Sequence, residues 1–356
     1  MSTGASPFED GAEFLRTEQF DEAVEVFTLI IENNPSYAIA FANRGLAYAG
    51  LGQYDRAVED YEEVIRLDPQ LAEAYNNRGI NYQRIGQTET AIQDFAEAIR
   101  LDPGYVNAYA NRGNAHGELG RHELAIQDLN EAIRLDPQST VAHFNRGVVH
   151  DRMGRYRDFI HNYSEAIRLD PGHSAAHIYR GNGYGELGEP ERAMDDYNEA
   201  IRIDPQSVEA YVGRGTIYEE RREHQPAIEE YNEALHLNSD HAVAYYNRGN
   251  SRLQLLDYSG AIDDYDAAMR LDPQPDAYTA RGTARYKLRQ YEEALADYNQ
   301  ALAIDPDYAY ALANRAVVYT TLGEDLPGQA DMFRAIELRM DTMQVAYAVR
   351  NADHLT

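Results

Sequence analysis

The sequence predicts an all-α fold built as a stack of helical hairpins, and three observations carry that prediction. A proline, mostly within a Leu/Ile-Asp-Pro step, recurs at Pro35, Pro69, Pro103, Pro137, Pro171 and Pro205, gives way to Ser239, and returns at Pro273 and Pro306. Successive steps are 34 residues long except the last, which is 33. Between prolines lie two segments with apolar residues at helical spacing. A lone hairpin cannot bury its apolar face, so units of this kind must stack on their neighbours into a solenoid.

Numbering each unit so that the proline is position 32, the units begin at Gly4, Ala38, Ala72, Val106, Thr140, Ser174, Val208, Ala242, Pro275 and Ala309. Residues 4–340 then form a single solenoid of ten repeats, where a length of 356 would by itself suggest two or three domains. The first helix is expected at Ser6-Pro7-Phe8-Glu9, a capping box with proline in the first helical position. In the unit from Ala72, Tyr75, Gly79 and Tyr82 mark the first helix, while Ala91, Phe95, Ala98 and Ile99 mark the second. Gly86 falls where a helix C-terminus favours positive φ, and Pro103 closes the unit. Gly79, Ala91 and Ala98 are small enough to let two antiparallel helices approach, and the aromatic residues fill the space beside them. The last unit is degenerate, with Gly328 for alanine and Met340 for proline, and residues 341–356 are expected to form a capping helix and tail.

The pattern Tyr75, Gly79, Tyr82, Ala91, Phe95, Ala98, Pro103 at a 34-residue period resembles the tetratricopeptide repeat across all ten units. The resemblance implies a right-handed α-α superhelix, and because the carboxylates recur by repeat position and no non-repeat domain offers a cleft, an enzyme is not expected. It also implies a concave groove, lined by the first helices, that holds an extended peptide or protein segment. One departure is instructive. Position 7, usually large and aliphatic in that family, holds Arg44, Arg78, Arg112, Arg146, Arg180, Arg214, Arg248, Arg281 and Arg315. Position 23 holds a carboxylate in the same units, with Asn162 as the exception, so Arg-carboxylate pairs between the two helices of a hairpin are expected.

Candidate binding residues fall on the first helices. Position 6 carries Asn43, Asn77, Asn111, Asn145, Asn247 and Asn314, interrupted by Tyr179, Gly213 and Ala280. An amide offers both a donor and an acceptor to a passing peptide backbone, and the row resembles the asparagines lining the groove of O-linked N-acetylglucosamine transferase. The competing reading is that each Asn bonds inside the solenoid. Position 5 becomes large and apolar at Phe144, Ile178, Val212 and Tyr246, which suggests an apolar stripe, or else partial burial against a neighbouring hairpin. Tyr179, Tyr246, Tyr286 and Tyr310 are the tyrosines left for the groove once the packing positions are filled.

Composition narrows the function. The chain has 60 acidic against 32 basic residues, a formal charge of -28, with Lys287 its one lysine. So large an acidic excess repels phosphate backbones and anionic membranes, and favours a protein or peptide partner with basic and apolar residues. No cysteine is present, which removes disulfides, thiolate metal sites and a thiol nucleophile. Groove positions 2, 5 and 6 hold no Lys or Arg, so the basic clamp for a C-terminal carboxylate is missing. Gly183-Tyr184-Gly185-Glu186-Leu187-Gly188 spells G-x-G-x-x-G inside a helix, without the strand that a dinucleotide loop requires. His116, His143, His150 and His177 stand at positions 4 or 11, where other units have tyrosine, and are expected in the core rather than on a metal. No cofactor is expected. The N-terminus lacks a signal-peptide pattern and no apolar run reaches membrane-spanning length, so the expected compartment is the cytoplasm. The alternatives to a peptide-holding scaffold are a self-assembling homo-oligomer and a subunit that recruits an enzyme.

Overall fold

The computed structural model describes residues 6–338, all of whose regular structure is helical. The first hairpins are α1 (Pro7–Arg16) with α2 (Phe20–Asn33), α3 (Ala38–Gly50) with α4 (Tyr54–Leu67), α5 (Ala72–Arg84) with α6 (Thr88–Leu101), α7 (Val106–Glu118) with α8 (His122–Leu135), and α9 (Thr140–Arg152) with α10 (Tyr156–Leu169). They are followed by α11 (Ser174–Glu186) with α12 (Pro190–Ile203), α13 (Val208–Glu220) with α14 (His224–Leu237), α15 (Ala242–Gln254) with α16 (Tyr258–Leu271), α17 (Pro275–Lys287) with α18 (Tyr291–Ile304), and α19 (Ala309–Thr321) with α20 (Asp325–Glu337). Among these residues no helix is long and apolar enough to cross a membrane. Two compact units, Met1–Ala176 and His177–Thr356, divide within α11, and each is built of the same hairpin. The capping helix expected over 341–356 lies outside the described residues.

Local signals place the helix ends as expected. Ser6 and Glu9 form the reciprocal capping box of α1, with Pro7 at its first position. Gly86 takes φ +81°, which lets the Gln87 N–H reach back to the Tyr82 carbonyl at 2.8 Å and close α5. Between hairpins, position 31 makes an Asx turn: Asp102 Oδ1, for example, accepts from the Gly104 N–H at 2.9 Å.

Packing inside a hairpin follows from one exchange of volume. A Cβ on Gly79 would stand 2.7 Å from Phe95 Cε1, so the ring of the second helix uses the space that glycine leaves on the first. Position 20 alanines such as Ala57, Ala91 and Ala125 are fully buried at the same crossing.

The arginine at position 7 locks each hairpin. Arg44 with Asp60, Arg78 with Asp94, Arg112 with Asp128, Arg180 with Asp196, Arg214 with Glu230, Arg248 with Asp264, Arg281 with Asp297 and Arg315 with Asp331 all pair at 2.5–2.8 Å. Arg146 donates to the neutral Asn162 at 2.7 Å instead. The same guanidinium also reaches the preceding hairpin. Arg146 donates to Asn130, Arg214 to Asn198, Arg248 to Asn232 and Arg315 to Asn299, all at position 25. Each of these arginines therefore joins two second helices that are neighbours in the stack. The planar fork makes this double use possible, since a lysine has no second planar edge to offer.

Candidate functional site

The position 6 asparagines are half-buried in every hairpin that has one, and they divide by what their amides do. Asn43 turns back on its own helix, its Nδ2 donating to the Ile39 carbonyl at 2.9 Å. Asn111 donates across to Asn76 Oδ1 at 2.9 Å, and Asn76 in turn donates to Asn77 Oδ1 at 3.2 Å. Asn76 stands at position 5 and is only 3% exposed, so this amide relay ties α7 to α5 from within. The reading in which asparagine bonds inside the solenoid thus describes Asn43, Asn77 and Asn111. By contrast, Asn145 and Asn314 enter no side-chain hydrogen bond among the described residues, and Asn247 lies beside the Tyr231 hydroxyl.

The gap at Gly213 has a steric cause. A Cβ on Gly213 would meet Tyr197 Cε1 at 2.5 Å, so the tyrosine ring of the preceding hairpin stands where the asparagine would begin. The Tyr197 hydroxyl donates to Asn182 Oδ1 at 2.7 Å, at position 9 of its own hairpin. Tyr265 does the same with Asn250 at 2.8 Å, and the residue that follows in the row is Ala280. Asn182 and Asn250 were not among the residues expected to matter. Their signal was present in the sequence: asparagine at position 9 together with tyrosine at position 24 accompanies a small residue at position 6 of the next unit, whereas Asn114, whose unit has Leu129 at position 24, is followed by Asn145.

Position 5 is partly packed. Where it is small, as at Ala110, Thr279 and Ala313, it is buried, and Phe144, Ile178, Val212 and Tyr246 are half-buried. Phe144, in the compact unit Met1–Ala176, stacks on His173 with ring centroids 4.7 Å apart and lies 5.4 Å from the Tyr163 ring. Tyr246, in the second, packs 5.9 Å from the Tyr265 ring. The covering residue at Phe144, His173, is position 34, the last of the same repeat, and Tyr37 covers Phe8 in the same way. Of the remaining tyrosines, Tyr179 and Tyr310 are open, Tyr310 being 50% exposed. Tyr286 is not on the groove: it is 8% exposed, and its hydroxyl meets Thr321 Oγ1 at 3.3 Å between α17 and α19.

Charge on the first helices is acidic and partly buried. Glu219 accepts from the Tyr231 hydroxyl at 3.2 Å, and burial pushes its carboxyl above the usual range, helped by the neighbouring Glu220. The histidines occupy packed sites. His143 is buried against the Pro137 carbonyl at 3.3 Å, and His177 is buried with its Nδ1 3.0 Å from Asp196 Oδ1. Among the described residues no three His, Asp or Glu side chains come together as a metal site would require.

Family models agree with this geometry. Models described as TPR or tetratricopeptide repeats match residues 50–86, 82–120, 106–139, 141–173, 181–221, 208–241, 242–275 and 282–323. Among solved structures, the Cut9-Hcn1 hetero-tetramer of the APC/C superposes with a TM-score of 0.59 at 15% identity, over 97% of this chain and 83% of that one. A tetratricopeptide repeat protein from Parabacteroides merdae superposes with a TM-score of 0.53 at 18% identity, over 72% and 98%. YrrB, described as a TPR protein with an unusual peptide-binding site, is 26% identical over 53% of this chain and 97% of that one, with a TM-score of 0.40. No curated protein matches the chain. The two superpositions above 0.5 speak to the fold alone.

Proposed function

The chain belongs to the tetratricopeptide repeat family, and from that premise we propose that it is a non-catalytic scaffold holding an extended peptide or protein segment along its first helices. The observation that carries the reading is the state of Asn145 and Asn314. Each is half-buried on a first helix, with an amide that no hydrogen bond among the described residues uses. A half-buried amide gains from a partner that supplies both a donor and an acceptor, which a peptide backbone does at every residue. The flanking half-buried Phe144 and the open Tyr310 supply apolar surface beside the two amides. A net charge of -28 favours a partner with basic residues, and the gain falls with ionic strength.

The test is selection from a displayed peptide library on wild type and on an Asn145→Ala/Asn314→Ala variant, followed by fluorescence anisotropy on the selected peptides. Equal profiles on the two proteins would sink the role given to the asparagines. A second reading, self-association, is favoured by one observation: α20 leaves Leu326 and Phe333 exposed, where the other hairpins, Ala96 aside, have polar residues at the same positions. Light scattering across concentration separates the two.

A further inference from the structure

The one short repeat leaves a hole. The unit from Ala242 ends at Gln274 and lacks the residue that stands at position 34 elsewhere, so Pro275 opens α17 directly after Gln274. One local consequence is that Asp272 Oδ1 bonds the Gln274 side chain at 2.7 Å instead of capping a backbone N–H two residues on. A second is a cavity of about 130 Å³ walled by Ala242, Tyr246, Ala268 and Ala277, with Asp272, Gln274 and Asp276 on its rim.

That cavity corresponds to the missing side chain. In two other hairpins the position 34 residue lies over position 5: Tyr37 on Phe8 at 5.9 Å, and His173 stacked on Phe144 at 4.7 Å. Tyr246 is the position 5 residue of the short unit, and its loop brings only Asp272 and Gln274, neither of them aromatic, to the space beside it. An apolar cavity of about 150 Å³ admits a benzene ring, so the space beside Tyr246 is of the size of one aromatic side chain. Both rim carboxylates are exposed, and one of them, Asp276, also accepts from the Tyr308 hydroxyl. Two full negative charges outweigh the roughly half positive charge of the α17 N-terminus, so the rim favours a cation.

We propose that this socket takes an aromatic side chain of a bound peptide, with Arg or Lys beside it, the ring standing in for the absent position 34 residue and the cation meeting Asp272 and Asp276. The proposal deepens the scaffold reading and rests on it for the peptide, but the socket can be tested without one.

The probe is tyramine, a phenol ring carrying an ammonium, followed by alanine-methyl NMR of Ala242, Ala268 and Ala277. Saturable shifts of these methyls at millimolar tyramine are expected, with weaker binding of p-cresol and no response to n-butylamine. A variant with Tyr inserted between Gln274 and Pro275 should lose the response. The inserted site demands the extended conformation that a residue before proline prefers, so this variant should fold. Asp272→Asn/Asp276→Asn should reduce tyramine to the level of p-cresol while leaving the helical content unchanged. Unmoved methyls, an equal response to butylamine, or a response that survives the insertion would each overturn the socket. Peptide capture that is intact in a protein without a tyramine response defeats the socket alone, and the converse defeats the scaffold reading alone.

Discussion

The Tyr197 ring occupies the space in which a Gly213 side chain would begin, 2.5 Å from the Cβ position. Gly213→Asn would restore the row of asparagines at the cost of displacing a ring held by Asn182. Overpacking of this kind costs about 1–3 kcal/mol, so urea denaturation should show a loss of that size. In an Asn182→Val background the ring is no longer anchored, and the same substitution should cost less than it does alone, so that the double variant loses less than the sum of the two single changes. Additive losses would contradict the coupling.

Asp264 should be among the least replaceable side chains. It is 2% exposed and accepts from both Arg248 and Arg252. Asp264→Ala strands two guanidinium groups and should cost about 3–5 kcal/mol. Glu63→Ala, which breaks an exposed pair with Arg66, should cost less than about 1 kcal/mol. Chemical denaturation of the two variants compares them directly.

The asparagines should separate into structural and free members. Asn111→Ala leaves the buried Asn76 oxygen without its donor and is expected to destabilise by about 1–3 kcal/mol. Asn145→Ala should leave the melting temperature nearly unchanged, because its amide has no partner to lose. A large loss at Asn145 would show that it too is structural.

Acid should weaken the first unit through three histidines. Burial lowers the pKa of His116, His143 and His150 from the ordinary 6.5, against the pull of Asp128, the Pro137 carbonyl and Asp158 respectively. A base with a depressed folded-state pKa binds its proton more readily when unfolded, so its stability contribution is full above about pH 6.5 and falls as pH drops from there toward the folded value. Replacing all three by tyrosine, the residue many other repeats use at these positions, should flatten the melting temperature between neutral and mildly acid pH.

Leu256 ends α15 with φ +65° while 69% exposed, at the place where Gly86 ends α5. Left-handed backbone costs a residue with a side chain about 1–2 kcal/mol, so Leu256→Gly should raise stability by a comparable amount. Thermal melts would show it.

The hairpins were legible because periodicity and volume act locally. Proline spacing gave the unit boundaries, Gly79 and Phe95 gave the crossing of two helices, and the Arg248–Asp264 partnership followed from a fixed offset of 16 residues. Position 5 was harder to read because whether it faces solvent depends on a residue 29 places later in the same unit, as Phe144 and His173 show. The amide relay through Asn76 and the tie from Tyr197 to Asn182 escaped for a related reason. Both are choices of hydrogen-bond partner among several within reach, and residue type does not decide such a choice. Tyr286 fills a gap between two first helices, which no pattern within one repeat could have indicated.

The double reach of the position 7 arginines is uneven along the stack. Arg146 and Arg248 each grip an amide in the hairpin before them, but Arg112 faces Ala96 and spends its whole fork on Asp128. The seam between α6 and α7 therefore lacks a rivet that other seams have. Under a load on its partners that seam would hang on the Asn111–Asn76 relay between α7 and α5 instead, and Ala96→Asn is the substitution that would add the missing grip.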